Sequence, residues 1–307
     1  MRHVLSLSEI GPTNLSQIID HSLAISSGLR GRPLEGKVVG IYFKVPSTRT
    51  RTAFGVAAIR LGAGTITYGP MDLQLVTGET MLDTARVLSE FLDILVIRTN
   101  GPLSEMRALA SQNQMSIINA MSDNEHPTQA IGDLVTIKEV FGRLDDIHIL
   151  YVGEGNNSAA ALALSVGMTP GMRLTLLTPE GYDLPRDVID RANSFAGKNG
   201  EPIRQSTRIT DLPSAVDVVY TTRWRTMGAP KTDPHWREKF EPYRITKGLM
   251  ARASKSTGTI FLHDLPAVRG EDVVDEVIDG PQSRAFLQAR HKLTSAMAVL
   301  SWCVNGD

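Results

Sequence analysis

The chain has 307 residues, 42% hydrophobic and 21% charged, with a formal net charge of −1. That length buries a substantial core in one or two soluble domains, and the balanced charge supplies no basic field for nucleic acid or an anionic membrane surface. No apolar run approaches the roughly 20 residues that span a bilayer, the N-terminal stretch has no apolar region of a secretory leader, and the single cysteine, Cys303, forbids an internal disulfide, so a cytoplasmic protein is expected.

In chain order, PTNLSQIIDHSLAISSG predicts a helix capped by Thr13 or Asn14, with Leu15, Ile18, Ile19 and Leu23 on one face and an end at Gly28. KVVGIYFKV predicts a buried strand. Phe54, Ala57, Ala58 and Leu61 then recur at helical spacing until Gly62 and Gly64. LDILVIRT predicts a strand, SEMRALASQNQ a helix, MSIINAMS a strand, and HPTQAIGDLVTIKEVFGRL a helix with Pro127 in its first turn and Ile131, Leu134 and Val135 inward. The cycle restarts with DIHILYVGEG (strand), NNSAAALALSVG (helix), MRLTLLTPE (strand) and PRDVIDRANSFAG (helix), and two further strands lie in AVDVVYTTRW and GTIFLHDLP. Residues 287–303 form a last helix; Cys303 on it reads as a buried structural thiol. Alternating strands and helices imply an α/β fold of two doubly wound parallel-sheet domains, without a knot. Ligands of such sheets bind at the carboxyl ends of strands, where the polar residues of interest fall.

Ser47, Thr48, Arg49, Thr50 and Arg51 form an unbroken polar run between a strand and a helix. Such a run is either a capped helix start with a solvated arginine or a seat for an anion. A helix start offers unpaired N–H groups and partial positive charge, the hydroxyls add donors, and Arg49 can clamp an anion through two N–H groups. Arg98 ends a strand, and His126 opens a helix, a position that disfavours protonation and leaves a neutral donor. Three elements thus present donors at one sheet edge, which suits a phosphate beside a polarisable carbonyl. VGEGNN follows a strand, as in dinucleotide enzymes, yet lacks the third glycine of that fingerprint.

The sequence resembles the aspartate/ornithine carbamoyltransferases. The matching stretches are STRTR (47–51), GETMLDTARVLSEF (78–91), IRT (97–99), HPTQAIGDLVTI (126–137), YVGEGNN (151–157), YTTRWRTMG (220–228) and HDLPAVRGEDV (263–273), in family order over nearly the whole chain. The resemblance implies a carbamoyl-phosphate domain of residues 1–136 plus 287–307 and an acceptor domain of 137–286. It implies that Ser47, Thr48, Arg49 and Thr50 hold the phosphate, that Arg98 and His126 polarise the carbonyl with Thr50 assisting, and that Gln129 binds the amide nitrogen. Gln74 looks like the residue lent to a neighbouring subunit's site, which implies a homotrimer, or a multiple of one, with shared active sites. Leu265–Pro266 is expected to be cis. No metal or cofactor is implied.

The acceptor side departs from the family. Asn157 matches the asparagine that holds the ornithine carboxylate. Where ornithine enzymes read D-x-W-x-S-M-G, this chain reads Thr222-Arg223-Trp224-Arg225-Thr226-Met227-Gly228, and where they read H-C-L-P it reads His263-Asp264-Leu265-Pro266. Lys292 stands where an arginine is expected. Arg223 instead resembles the aspartate family, whose K-Y-G-R-T stretch is absent. The acceptor site so read comprises Asn157, Thr222, Arg223, Thr226, Met227, Asp264 and Leu265. From it the expected acceptor is a small amine or hydroxyl bearing an anionic group, neither ornithine nor aspartate. Ornithine itself, or a catalytically silent paralogue acting as a binding subunit, are the alternatives.

Overall fold

The computed structural model describes residues 1–197, 202–225 and 230–304. Helix α1 runs over Leu7–Ser26, starting earlier than the spacing predicts, because Ser6 accepts the Ser8 N–H and two helical stretches join at Gly11, with φ 76° and ψ 165°. Pro12 lacks an N–H and so suits the head of the second stretch, the part in which Leu15, Ile18 and Ile19 are buried. The chain divides into two compact units, Met1–Val135 with the segment from Arg290, and Thr136–Ala289.

The first unit continues with β1 (Val38–Phe43), α2 (Arg49–Arg60), β2 (Gly64–Tyr68), α3 (Met81–Ser89), β3 (Ile94–Arg98), α4 (Leu103–Leu109), β4 (Ser116–Met121) and α5 (Pro127–Phe141). Its strands lie in the order β2-β1-β3-β4, all parallel. Parallel strands covered on both faces read as near-continuous apolar runs, as in the buried VVGIYF of β1 and ILVIR of β3.

The second unit holds β5 (His148–Val152), α6 (Asn157–Gly167), β6 (Arg173–Leu177), α7 (Arg186–Phe195), β7 (Ile203–Ser206), β8 (Val218–Thr221), α8 (Trp236–Phe240), α9 (Lys247–Ala253), β9 (Ile260–His263) and α10 (Asp275–Ile278); the last helix, α11 (Ala285–Val304), belongs to the first unit from Arg290 onward. The sheet order of the second unit is β7-β6-β5-β8-β9, again all parallel, over a core that includes Val152, Leu177, Val219 and Phe261.

In each sheet the chain lays down strands to one side and then crosses to the other. The reversal falls between β1 and β3 in the first unit and between β5 and β8 in the second. Adjacent connections then leave in opposite directions and open a crevice at the strand carboxyl ends.

Helices α6 and α7 pack through a glycine. A Cβ on Gly167 would stand 2.0 Å from the Ala192 carbonyl oxygen and 2.8 Å from its carbon. Backbone cannot rotate aside as a side chain can, so Gly167→Ala is expected to lower stability by about 3 kcal/mol, the upper part of the overpacking range. A urea midpoint unchanged from the parent protein would contradict this packing.

Candidate active site

Three side chains of the first unit converge. Arg98 Nη1 lies 3.4 Å from Thr50 Oγ1 and 3.5 Å from His126 Nε2, and all three residues are buried. Each arrives from a different strand end. Thr50 sits in the first turn of α2 after β1. Arg98 ends β3, where pairing with β4 shifts from Ile97↔Asn119 to Arg98↔Met121. A bulge of this kind re-aims the side chain beside it. His126 directly precedes α5 in a turn closed by Ser122 N–H donating to the Glu125 carbonyl at 3.0 Å. The Glu125 carboxylate accepts the Ser6 hydroxyl at 2.6 Å and the Leu7 N–H at 2.7 Å, tying the turn to the chain's start.

Burial holds the His126 imidazole well below its ordinary range, and the cations Lys292 and Arg98 push the same way. His126 is therefore neutral near neutral pH and can donate one N–H to a neighbouring oxygen. The unfolded ring binds a proton that the folded ring refuses, so this group costs stability as pH falls below the unfolded value and nothing above it. The carbon-bound ring protons of His126 are expected to hold one NMR shift from about pH 8 to about pH 6, where an exposed histidine titrates; a mid-range titration would contradict the burial.

Around this trio, Arg49 is the first residue of α2 and Ser47 is half-buried before it. Thr48 takes the capping position without a side-chain capping bond, so the first-turn N–H groups are not closed off by its hydroxyl. On α5, Gln129 Nε2 donates to Asp133 Oδ1 at 2.7 Å, and its carbonyl oxygen receives the ammonium of Lys292 from α11, with all three side chains buried. The structure thus brings Thr50, Arg98 and His126 together and joins Gln129 to Lys292. Gln74 stands apart in an exposed 3-10 turn, Gln74–Thr77, with its amide oxygen bonded to Thr77. Asp133 was not legible from spacing, although a polar pair one turn apart on an apolar helix face was its signal.

The second unit gathers a second set. Asn157 is the first residue of α6, which Asn156 caps by accepting the Ser158 and Ala159 N–H groups. Thr222 follows β8 and donates its hydroxyl to Asp264, 3.0 Å from both carboxylate oxygens. Arg223 is half-buried, and its Nε is buried with no hydrogen-bond partner. Leu265 has φ 55° and its peptide bond to Pro266 is cis, as expected. Its N–H donates to His263 Nδ1 at 2.8 Å, while His263 Nε2 faces Asp272 at 2.6 Å. This His263–Asp272 brace, invisible in the sequence, fixes which ring nitrogen carries the proton. Lys231 bonds Glu154 at 2.8 Å beneath Tyr182 and Phe240, which ties the start of the segment from residue 230 to the loop before Asn157. Thr226 and Met227 lie outside the described residues. Cys303 is buried, and that burial pushes its thiol up to about 12, which makes it an inert core residue.

Comparison with known proteins gives two consecutive family matches. Residues 2–139 match the family model "Aspartate/ornithine carbamoyltransferase, carbamoyl-P binding domain", and residues 145–303 match "Aspartate/ornithine carbamoyltransferase, Asp/Orn binding domain". An ornithine carbamoyltransferase of Caldicellulosiruptor saccharolyticus is 38% identical over 98% of this chain and 97% of its own length. One of Gloeobacter violaceus is 37% identical over 99% and 96%. Among solved structures, ornithine carbamoyltransferase from Pyrococcus furiosus superposes with a TM-score of 0.92 at 34% identity, covering 100% of this chain and 98% of that one.

These relatives overturn the expectation that the acceptor is neither ornithine nor aspartate: curated proteins similar to this chain over its full length are named for ornithine. Positions 222 and 264, which in sequence read as two independent departures, are partners in a single hydrogen-bonded contact. With both of its units matched and relatives above 30% identity from end to end, this chain is a carbamoyltransferase and belongs to the aspartate/ornithine carbamoyltransferase family.

Proposed function

We propose that the chain transfers the carbamoyl group of carbamoyl phosphate to the side-chain amine of ornithine, giving citrulline and phosphate. The observation that carries this reading is the full-length similarity to ornithine carbamoyltransferases at 36–38% identity. In this reading Ser47, Thr48, Arg49 and Thr50 hold the phosphate, where a helix N-terminus and hydroxyl donors favour an anion. Arg98, His126 and Thr50 receive the carbonyl oxygen, and Gln129 with Lys292 lies along the amide side. The neutral amine attacks the carbonyl carbon and forms the C–N bond. Negative charge develops on oxygen, where fixed donors stabilise it more than they stabilise the starting carbonyl. The C–O bond to phosphate then breaks, and the departing phosphate takes the proton released by the amine. Asn157, Thr222, Arg223, Thr226, Met227, Asp264 and Leu265 form the acceptor side.

The test is an incubation of purified protein with carbamoyl phosphate and L-ornithine. Citrulline and phosphate are expected in equal amounts; a rate no better than with unrelated amines would overturn the reading.

The assembly we propose is a homotrimer acting in the cytoplasm, with Gln74 serving a neighbouring copy. Supporting it, Ile59, Ile66, Met71, Val76, Leu82, Val87 and Phe91 are all exposed within one stretch of the first unit, and β2, an edge strand of a parallel sheet, is mostly uncovered. Parallel sheets are ordinarily buried on both faces, and apolar exposure of this kind marks contact surfaces. No helix among the described residues is long and apolar enough to cross a membrane. Ile66→Asp with Phe91→Asp is expected to shift the sedimenting species from trimer to monomer; an unchanged mass would place the contact elsewhere.

A further inference from the structure

Away from the candidate active site, the first unit holds a cavity of about 560 Å³ lined by four exposed arginines, Arg30, Arg32, Arg60 and Arg290, and by buried Ile25 and Met297. No acidic side chain lines it among the described residues. In a chain with 33 acidic and 32 basic residues, four cations around one opening are a local excess. They come from the turn after α1, the last turn of α2 and the second turn of α11. Helix ends explain part of the set. Arg30 Nη1 donates to the Leu29 carbonyl at 3.0 Å and to the Ile25 carbonyl at 3.4 Å, closing the end of α1, and a cation such as Arg60 is favoured in the last turn of a helix. Arg32 and Arg290 have no such reason. Arg32 pairs with Glu35 at 3.6 Å, with both side chains well exposed, an arrangement that contributes little. A Cβ on Gly62, whose φ is 95°, would stand 3.1 Å from Arg32 Nε, so the Arg32 side chain lies against the end of α2, two residues beyond Arg60. Arg290 is far from the C-terminus of α11. The α11 residues that line the cavity recur every three or four positions from Arg290 to Met297, which puts them on one face. Lys292, on the other side of that helix, reaches Gln129 in the candidate active site. The cavity has a fixed frame, because Ser22 on α1 donates to Thr294 on α11 at 2.9 Å, both residues being buried.

We propose that this cavity is a second anion site, which takes a small organic polyanion. Its phosphate or carboxylate groups meet the arginines, and its apolar body covers Ile25 and Met297. A guanidinium binds either group through two parallel N–H bonds. Gathered cations raise the local concentration of a multiply charged anion, and the cavity's volume falls in the range of small-molecule pockets, about 300–1,000 Å³. The site goes beyond the ornithine reading and does not depend on it.

The test titrates the full chain with magnesium-free ATP and, separately, with citrate, in about 0.15 M salt, where attraction between exposed charges is screened beyond about 8 Å. ATP offers phosphates and citrate carboxylates, so their relative affinity identifies the anionic group. At least one of them is expected to bind. Arg60→Gln combined with Arg290→Gln is expected to weaken that binding at least about tenfold, the scale of lost charge-assisted contacts, whereas Arg49→Gln, which removes a cation from the candidate active site, is expected to leave it within about twofold. Arg32→Gln gives a smaller loss in the same direction and decides the matter if the double variant is unstable. The second site is overturned if the parent protein binds neither compound at millimolar concentration, or if the double variant binds as tightly as the parent. It is also overturned if Arg49→Gln weakens binding as much as the double variant does, which would assign the anion to the candidate active site.

Discussion

Replacing Arg98 with methionine is expected to lower kcat by about 10²–10³, the usual cost of deleting one donor to a developing oxyanion. Methionine fills much of the same space, so the loss is of charge and N–H groups rather than of packing. Arg98 is buried, with its Nη1 midway between Thr50 and His126. In that shielded setting a cation acts on the transition-state oxygen more strongly than it would in water. The KM for carbamoyl phosphate should rise less than kcat falls, because in the proposed reading the phosphate has its own donors in Ser47 to Thr50. Initial rates of product formation at saturating substrate decide the point, and a fall smaller than about tenfold would count against this role. Since the three donors converge on one place, combining Arg98→Met with His126→Ala should cost less than the product of the single effects.

His263→Ala is expected to destabilise the second unit by about 3–5 kcal/mol, the range for breaking a buried pair by removing one partner. Asp272 has no exposed surface and faces His263 Nε2 at 2.6 Å, with the Val268 N–H as a further donor at 2.9 Å. Without the ring, a buried carboxylate keeps its charge and loses a principal donor. The Leu265 N–H loses its acceptor at the same time. Urea unfolding followed by a probe in the second unit measures the change, and a shift under about 1 kcal/mol would show that the site relaxes freely. Asp272→Asn in the same chain should recover part of the loss, because the stranded charge is then gone.

The strands legible in the sequence are those with both faces covered, such as VVGIYF and ILVIR. The two that spacing does not reveal, β2 and β7, are sheet edges. GTITY is mostly exposed and IRQS is largely polar, and an edge strand need not advertise a buried pattern. Helix α1 starts before its expected cap because Gly11 and Pro12 mark a junction between two helical stretches rather than a beginning. Within the site, Arg98, His126 and the run from Ser47 to Thr50 were legible because strand ends and helix starts are marked by local chemistry. The pairings were not. Thr222 and Asp264 are 42 residues apart, and Gln129 and Lys292 are 163 apart. Read singly, Thr222 and Asp264 suggest a changed substrate; read as a contact, they suggest a relocated charge.

The parallel register of β8 and β9, ending at Thr221↔His263, fixes how closely the side chains just beyond it can face each other. Two carboxylates at hydrogen-bonding distance repel and cannot both ionise easily, whereas a hydroxyl facing a carboxylate donates to it, as Thr222 does to Asp264. An acid at either position therefore favours a neutral donor at the other, with the backbone ladder beneath them undisturbed.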